Sequence, residues 1–312
     1  MVMYPNFKII ANGDDVTAVL KQNNTSISFK DEANEKADEL TIKITDGFVR
    51  PKYEDELELY LGYGDDLTFC GIFKVQSSTW DKHQGITINA TSVDFSNVLK
   101  QKRDITYEKL SIKVICSQIA NRGGLELKCD FDDIFMTSIA QHDESDLNFL
   151  NRIARDLNAI FNIKNNTLYF MKKVKDDKKS DELPKYTISA DECSSLSTKH
   201  SNKTLYKSCK ATWHDTKTNK TKNIITGSGM PQLVYRSSFK NEAEAKLRAD
   251  AYLQRVNQGI VTGSLSTIGQ IVFAGGILEL IDTLEDDGEY QIKSVNHEFS
   301  GSGWITSLDF ER

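Results

Sequence analysis

Residues 141–173, QHDESDLNFLNRIARDLNAIFNIKNNTLYFMKK, restrict the fold of this chain more than any other stretch, because they specify helix, strand, turn and strand in that order. Asp143, Glu144, Ser145 and Asp146 crowd one point, and there the pattern predicts a helix N-terminus, where free backbone N–H groups and the helix dipole favour oxygen acceptors and negative charge. Leu147, Leu150, Ile153, Ala154 and Leu157 follow at three- and four-residue spacing, while Asn148, Asn151, Arg152 and Arg155 fall off that stripe. The spacing predicts an amphipathic helix of about 14 residues. Residues 160–164 and 167–172 are rich in β-formers, and Asn165-Asn166 between them tolerates the positive φ of a two-residue hairpin turn. The helix is expected to dock on this hairpin.

Gln141, Glu144, Ser145, Asp146, Phe149, Leu150, Arg152 and Ala154, followed by Ala159, Phe161 and Leu168, resemble the signature of the phage late control gene D proteins. These are hub proteins of contractile tails, similar to the T-even baseplate hub and to the N-terminal part of type VI secretion spike proteins. A weaker companion lies in residues 111–125, where the family carries a short helix ending in a glycine and a leucine. Asn158-Ala159 stands where the family more often shows a glycine before the alanine; Asn is the next best residue for a left-handed position.

The remainder reads as strands, so the expected fold class is α+β and mainly β. Residues 7–11, 26–29, 40–45, 57–63, 68–75 and 85–93 are strand candidates, and the clean alternation of Leu40, Ile42 and Ile44 marks half-buried antiparallel pairing. Many short strands at this spacing point to a barrel or sandwich. Ser111 is a candidate N-cap, with Gly123-Gly124 ending its helix. Residues 172–184, KKVKDDKKSDELP, read as a charged surface loop or linker. Asn241, with Glu244 three positions on, resembles a capping box. Tyr290 and Ile292 alternate in the opposite phase to Val295, His297 and Phe299, and a β-bulge at 293–295 reconciles them. The chain length of 312 residues suits more than one core, and the expected division is a first β-barrel tube domain at 1–103, an α/β segment at 104–185 and a second tube domain with one helix at 186–312. The two similar tube domains are what the resemblance implies; no internal repeat is visible.

The chemistry the sequence excludes is as informative. HExxH, P-loop, GxSxG and Rossmann glycine patterns are absent. The histidines at 83, 142, 200, 214 and 297 are isolated, and the five cysteines (Cys70, Cys116, Cys129, Cys193, Cys209) show no metal-ligand spacing, so they read as free thiols and no cofactor or metal is expected. Asp143, Glu144 and Asp146 fit helix capping more simply than a pair of acid and base carboxylates. No apolar run of membrane-spanning length occurs, and the N-terminus lacks a secretory pattern.

Charge is uneven. Residues 11–70 carry 14 acids and 6 bases, whereas residues 199–222 carry seven lysines and one aspartate with Tyr206 and Trp213 interleaved. Lys203, Lys207, Lys210 and Trp213 are therefore a candidate partner surface, read as a solvated hairpin face, as a nucleic-acid contact, or as a surface that meets an acidic face of a neighbouring subunit. Trp80 and Tyr63 fit either a core or an interface.

The resemblance implies a non-enzymatic baseplate hub protein of a contractile, Mu-like or P2-like phage tail. It implies a homotrimer whose two tube domains per chain match the hexameric tail tube on one side and the trimeric central spike on the other. Its partners would be the spike, the tube protein and other baseplate proteins, with assembly in the bacterial cytoplasm and a final place in the virion. The alternatives are a tail-associated peptidoglycan hydrolase and a binding module that uses the lysine stretch.

Overall fold

The computed structural model describes residues 4–33, 37–45, 49–92, 97–132, 134–164, 167–172, 183–201, 205–215, 218–239, 241–257 and 261–312. In chain order the elements are β1 (Pro5–Ala11), β2 (Asp14–Asp15), α1 (Thr17–Gln22), β3 (Ser26–Glu32), β4 (Glu39–Ile44), β5 (Glu56–Tyr63), β6 (Asp66–Asp81) and β7 (Gly85–Ser92). Then come α2 (Asn97–Lys100), β8 (Lys102–Ser111), α3 (Ile112–Gly123), β9 (Glu126–Cys129), β10 (Phe135–Ser145), α4 (Asp146–Leu157), β11 (Ala159–Lys164) and β12 (Thr167–Lys172). The last part holds β13 (Lys185–Ser189), β14 (Cys193–His200), β15 (Ser208–Asp215), β16 (Lys220–Gly227), β17 (Gln232–Phe239), α5 (Glu242–Asn257), β18 (Val261–Ile268), β19 (Ile277–Ile281), β20 (Gly288–Ser300) and β21 (Gly303–Glu311). The fold is α+β and mainly β, and the expected strands of the first ninety residues are all present. The short helix α1 escapes a reading by periodicity because, at six residues, only Thr17 and Leu20 turn inward.

The chain folds into two compact units, residues 1–94, 180–199 and 262–312 forming the first and residues 95–179 and 200–261 the second. The linear division expected at 103 and 185 differs from this partition. The reason lies in strand pairing: β20 pairs antiparallel with β3, with Val295, His297 and Phe299 opposite Asp31, Phe29 and Ile27, so the last fifty residues complete the sheet that the first ninety begin.

Unit 1 is built on that sheet, whose order is β14-β18-β21-β20-β3-β4-β7-β6-β5-β1-β2, with β19 pairing both β20 and β13. Strict alternation drives it. Ile27 and Phe29 of β3, Leu40, Ile42 and Ile44 of β4, and Ile88 and Ala90 of β7 point into one core together with Phe7, Leu59, Phe73 and Trp304, while Ser28, Lys30, Thr41 and Asn89 point away. Register slips between Ile292 and Ser294, so the bulge expected at 293–295 is present and brings Tyr290 and Val295 inward on one strand. Trp80 is exposed, whereas Tyr63 is half-buried and donates to the Gly269 carbonyl at 2.7 Å.

Among its described residues unit 2 contains three sheets: the β8–β10 pair, a three-stranded sheet ordered β11-β12-β9, and a three-stranded sheet ordered β16-β15-β17. Helices α3 and α4 share a core with the first two, in which Ile115, Ile119, Phe149, Leu150, Ile153, Leu168 and Phe170 are buried. The hairpin of β11 and β12 pairs as expected, Phe161 opposite Phe170; its Asn165-Asn166 turn lies outside the described residues, as does 173–182 of the charged linker. Asn241 immediately precedes helix α5, its side chain accepting from Glu244 N at 2.8 Å, and α5 covers one face of β15–β17 through Ala245 and Ala249.

Candidate functional site

The signature residues converge on one buried charge in unit 2. Ser145 is the N-cap of α4: its backbone is extended and its hydroxyl accepts from Asn148 N at 3.2 Å. At the other end Asn158 adopts the left-handed conformation, φ 51°, and its N–H closes on the Ala154 and Arg155 carbonyls, as an asparagine in a glycine's place can. Helix α3 repeats the arrangement, with Ser111 accepting from Val114 N and Gly124 left-handed.

The acids beside Ser145 do not cap the helix as the sequence pattern suggests. β10 runs on through 141–145, so Asp143 and Glu144 belong to a bulged strand end. Asp143 is exposed and pairs with Lys102 at 3.0 Å. Glu144 takes Arg152 two-pronged, at 2.8 and 3.2 Å, while Arg152 also donates to the Ala140 carbonyl and lies over the Phe149 ring. Asp146, fully buried, accepts from Arg122 at 2.8 and 3.1 Å and from Gln141 Nε2 at 2.9 Å, and Arg103 Nε lies 3.3 Å away, near enough for an ion pair though not aligned for a hydrogen bond. Arg122 further donates to the Tyr107 hydroxyl at 3.0 Å, and Tyr107 stacks on Phe149 with ring centroids 5.3 Å apart. Gln141 completes the ring by donating to the Glu144 carbonyl. One carboxylate thus ties β8, α3, β10 and α4 together, and Phe149, Leu150 and Ala154 supply the apolar floor. A charge buried in this way is held by paired, hydrogen-bonded partners. The arrangement fixes geometry: apart from Arg103 Nε, which contributes charge alone, the donors around the Asp146 carboxylate are engaged within the network.

The lysine stretch resolves into different surroundings. Lys199 and His200 end β14, whereas Lys207 immediately precedes β15, Lys210 lies on β15, and Lys220 and Lys222 lie on β16. Lys203 lies outside the described residues. Trp213 does not join Lys210 on a common face: Cys209, Ala211 and Trp213 point toward α5, and Lys222 sits over the Trp213 ring at 5.2 Å while bridging Asp215. The outward face carries Lys210 with Ile225 and Val234 as its cross-strand neighbours, both about half exposed. The amphipathic sheet could be read from the sequence only by knowing that α5 returns to cover it.

Among the described residues no group of three or more His, Cys, Asp or Glu is arranged to hold a metal ion. His142 is exposed beside Asp104. Burial pushes the Cys70 thiol up to about 12, and His297 is held near 4 by burial, its ring between Thr306 Oγ1 and the Val272 carbonyl, each 3.1 Å away. In unit 1 a cleft of about 740 Å³ on the polar side of the sheet is lined by Lys30, Glu32, Ser264, Lys293, Asp309 and Phe310.

No family model matches the sequence. Over 178 residues the chain is 32% identical to the probable baseplate hub protein of Escherichia phage 186, covering 54% of this chain and 45% of that protein. The probable baseplate hub protein of Escherichia phage P2 matches at 27% identity with the same coverage. The chain therefore spans about half the length of the curated relatives it matches. Among solved structures, the tail protein from Neisseria meningitidis MC58 has a TM-score of 0.73 at 11% identity, covering 99% of this chain and 97% of that one. The 43 kDa tail protein of prophage MuSo2 from Shewanella oneidensis has a TM-score of 0.68 at 12% identity, covering 98% of each chain. The fold is one shared with phage tail proteins. Within that class, and over the matched stretch, the chain is similar to the probable baseplate hub proteins of these two phages, in line with the late control gene D type that its signature resembles.

Proposed function

We propose that the chain is a structural, non-enzymatic hub protein of a contractile phage tail baseplate, a homotrimer that joins the hexameric tail tube to the trimeric central spike. The observation that carries this is the 32% identity to a probable baseplate hub protein. The sheet of unit 1 fits the role: its N-terminal strands, β1 to β7, and its C-terminal strands, β13, β14 and β18 to β21, meet at β3–β20 and give each chain two β pieces of comparable size. Three copies would present six such pieces to a sixfold tube while keeping a threefold axis for the spike. A ring of this kind works through extended interfaces and asks for no reacting group. The signature network around Asp146 is then a clamp that keeps unit 2 rigid, and the spike, tube and other baseplate proteins are the partners, with assembly in the host cytoplasm and residence in the virion. Light scattering of the purified protein, alone and mixed with its spike, tests this: three copies per particle are expected, and a monomer that ignores the spike overturns it.

A further inference from the structure

The two compact units carry opposite charge. Unit 1 has 13 basic and 29 acidic residues, a net of −16, and unit 2 has 26 basic and 16 acidic, a net of +10. Two exposed features concentrate this difference, and each pairs charge with apolar surface.

The first is the hairpin tip between β19 and β20, residues 282–289, which holds Asp282, Glu285, Asp286, Asp287 and Glu289. At its apex Leu284 is 92% exposed and left-handed, φ 64°. A bulky side chain in that conformation is held there by its surroundings, which here are the Thr283 to Asp287 hydrogen bonds at 2.7 Å, the Ser189 to Asp282 bond at 2.6 Å and the Tyr290 hydroxyl on the Asp286 carbonyl. The turn is constrained so as to push a leucine into solvent amid acids.

The second is the outward face of the β16-β15-β17 sheet. Ile225 and Val234 flank Lys210 across the strands, exposed Arg236 follows on β17, and exposed Lys207 and Met230 lie at the rim. Asp215 is the single acid between His200 and Asn241, and it is engaged by Lys222 on the other side of the sheet. The face is basic around an apolar centre, the inverse of the tip.

We propose that the 282–289 tip of one copy docks on the β15–β17 face of a second copy, Leu284 seating on Ile225 and Val234 with its acids around Lys207, Lys210 and Arg236. The contact is heterologous, since two different patches meet, and contacts of that type close into rings when the rotation permits. It rests on the reading of the chain as a ring-forming hub and names the surfaces that would close the ring.

The test is self-association by light scattering at low and high salt. Lys210→Glu/Arg236→Glu and Glu285→Lys/Asp286→Lys are each expected to weaken association by roughly tenfold or more, and the chain carrying all four changes is expected to regain it. Leu284→Gly, which relaxes the turn, is expected to weaken association while circular dichroism stays unchanged, and it stands in for any charge variant that does not fold. A wild-type trimer indifferent to all of these changes sinks this contact and leaves the hub reading standing. A wild-type monomer, with or without spike, sinks both. Loss of association that the fourfold variant does not restore also overturns the pairing, because it would place the two patches against different partners.

Discussion

Replacing Asp146 tests whether the signature segment acts as a clamp. In Asp146→Ala the two short Arg122 bonds and the Gln141 bond disappear, and Arg122 and Arg103 are left beside an apolar core. Breaking a buried ion pair by removing one partner costs about 3–5 kcal/mol. Both arginines are about a quarter exposed, so they can partly turn to water, which puts the expected loss near the lower end, about 3 kcal/mol. Because the network joins β8, α3, β10 and α4, the loss should appear there first. Hydrogen exchange followed by mass spectrometry reads it: amides of α4 and β10 are expected to exchange roughly a hundredfold faster, while those of β3 and β4 in unit 1 keep their rates. Arg122→Met/Asp146→Leu, which removes charge from both sides, should recover part of the protection. A change below roughly tenfold in α4, or an equal change in unit 1, would refute the argument that this carboxylate anchors unit 2 locally.

Two further outcomes follow from unit 1. His297 is buried neutral with its titration held near 4 against the ordinary 6.5, so the unfolded state binds the extra proton between those values, and stability present above about pH 6.5 is lost as the pH falls toward 4; the wild type is expected to lose about 2–3 kcal/mol more than His297→Gln between pH 7 and 4.5 in urea titrations, and parallel pH profiles would count against it. A Cβ added to Gly269 would lie 2.1 Å from the Trp304 ring, where the Gly269 N–H and carbonyl also bond Trp304 and Tyr63, so Gly269→Ala should cost about 1–3 kcal/mol and shift the thermal midpoint of unit 1 downward; an unchanged midpoint would mean the ring moves freely.

What the sequence revealed and what it concealed divide by range. Ser145, Ser111, Asn158 and Asn241 each do what local chemistry dictates, since a cap is made by a side chain and backbone groups two to four residues away. The bulge near 293 was legible for a similar reason: a break in period-two alternation has one local remedy. The role of Asp146 was not legible, because an acid at a helix start satisfies the dipole whether or not arginines 24 and 43 residues earlier fold onto it. The half-buried place of Trp213 is not legible locally, because its sheet is covered by a helix that starts almost thirty residues later. The partition into units was hidden most deeply. It depends on β3 pairing with β20, and the Ser28 to Asn296 bond across that junction spans 268 residues, which no periodicity within either strand announces.

The outward face of the unit 1 sheet is built to hold its shape. Where a solvated sheet usually carries long charged side chains, much of this face is built of short hydroxyl, amide and carboxylate groups bonded to one another across strands: Ser266 to Ser307 at 2.8 Å, Ser294 to Asp309 at 3.0 Å, Ser28 to Asn296 at 3.2 Å, and Thr41 to Asn89 to Ser77, each at 3.2 Å. Lysine and glutamate side chains each lose up to about 2 kcal/mol of rotamer entropy when they are ordered, whereas serine and threonine have little freedom to lose. A face made this way holds one relief at small entropic cost. The core beneath it is equally fixed, with Phe29 stacked on His297 at 5.6 Å and meeting Phe73 edge-on at 5.5 Å. Rigid relief on one side and close packing on the other let strain applied at one edge of the sheet reach the opposite edge with little absorbed in between.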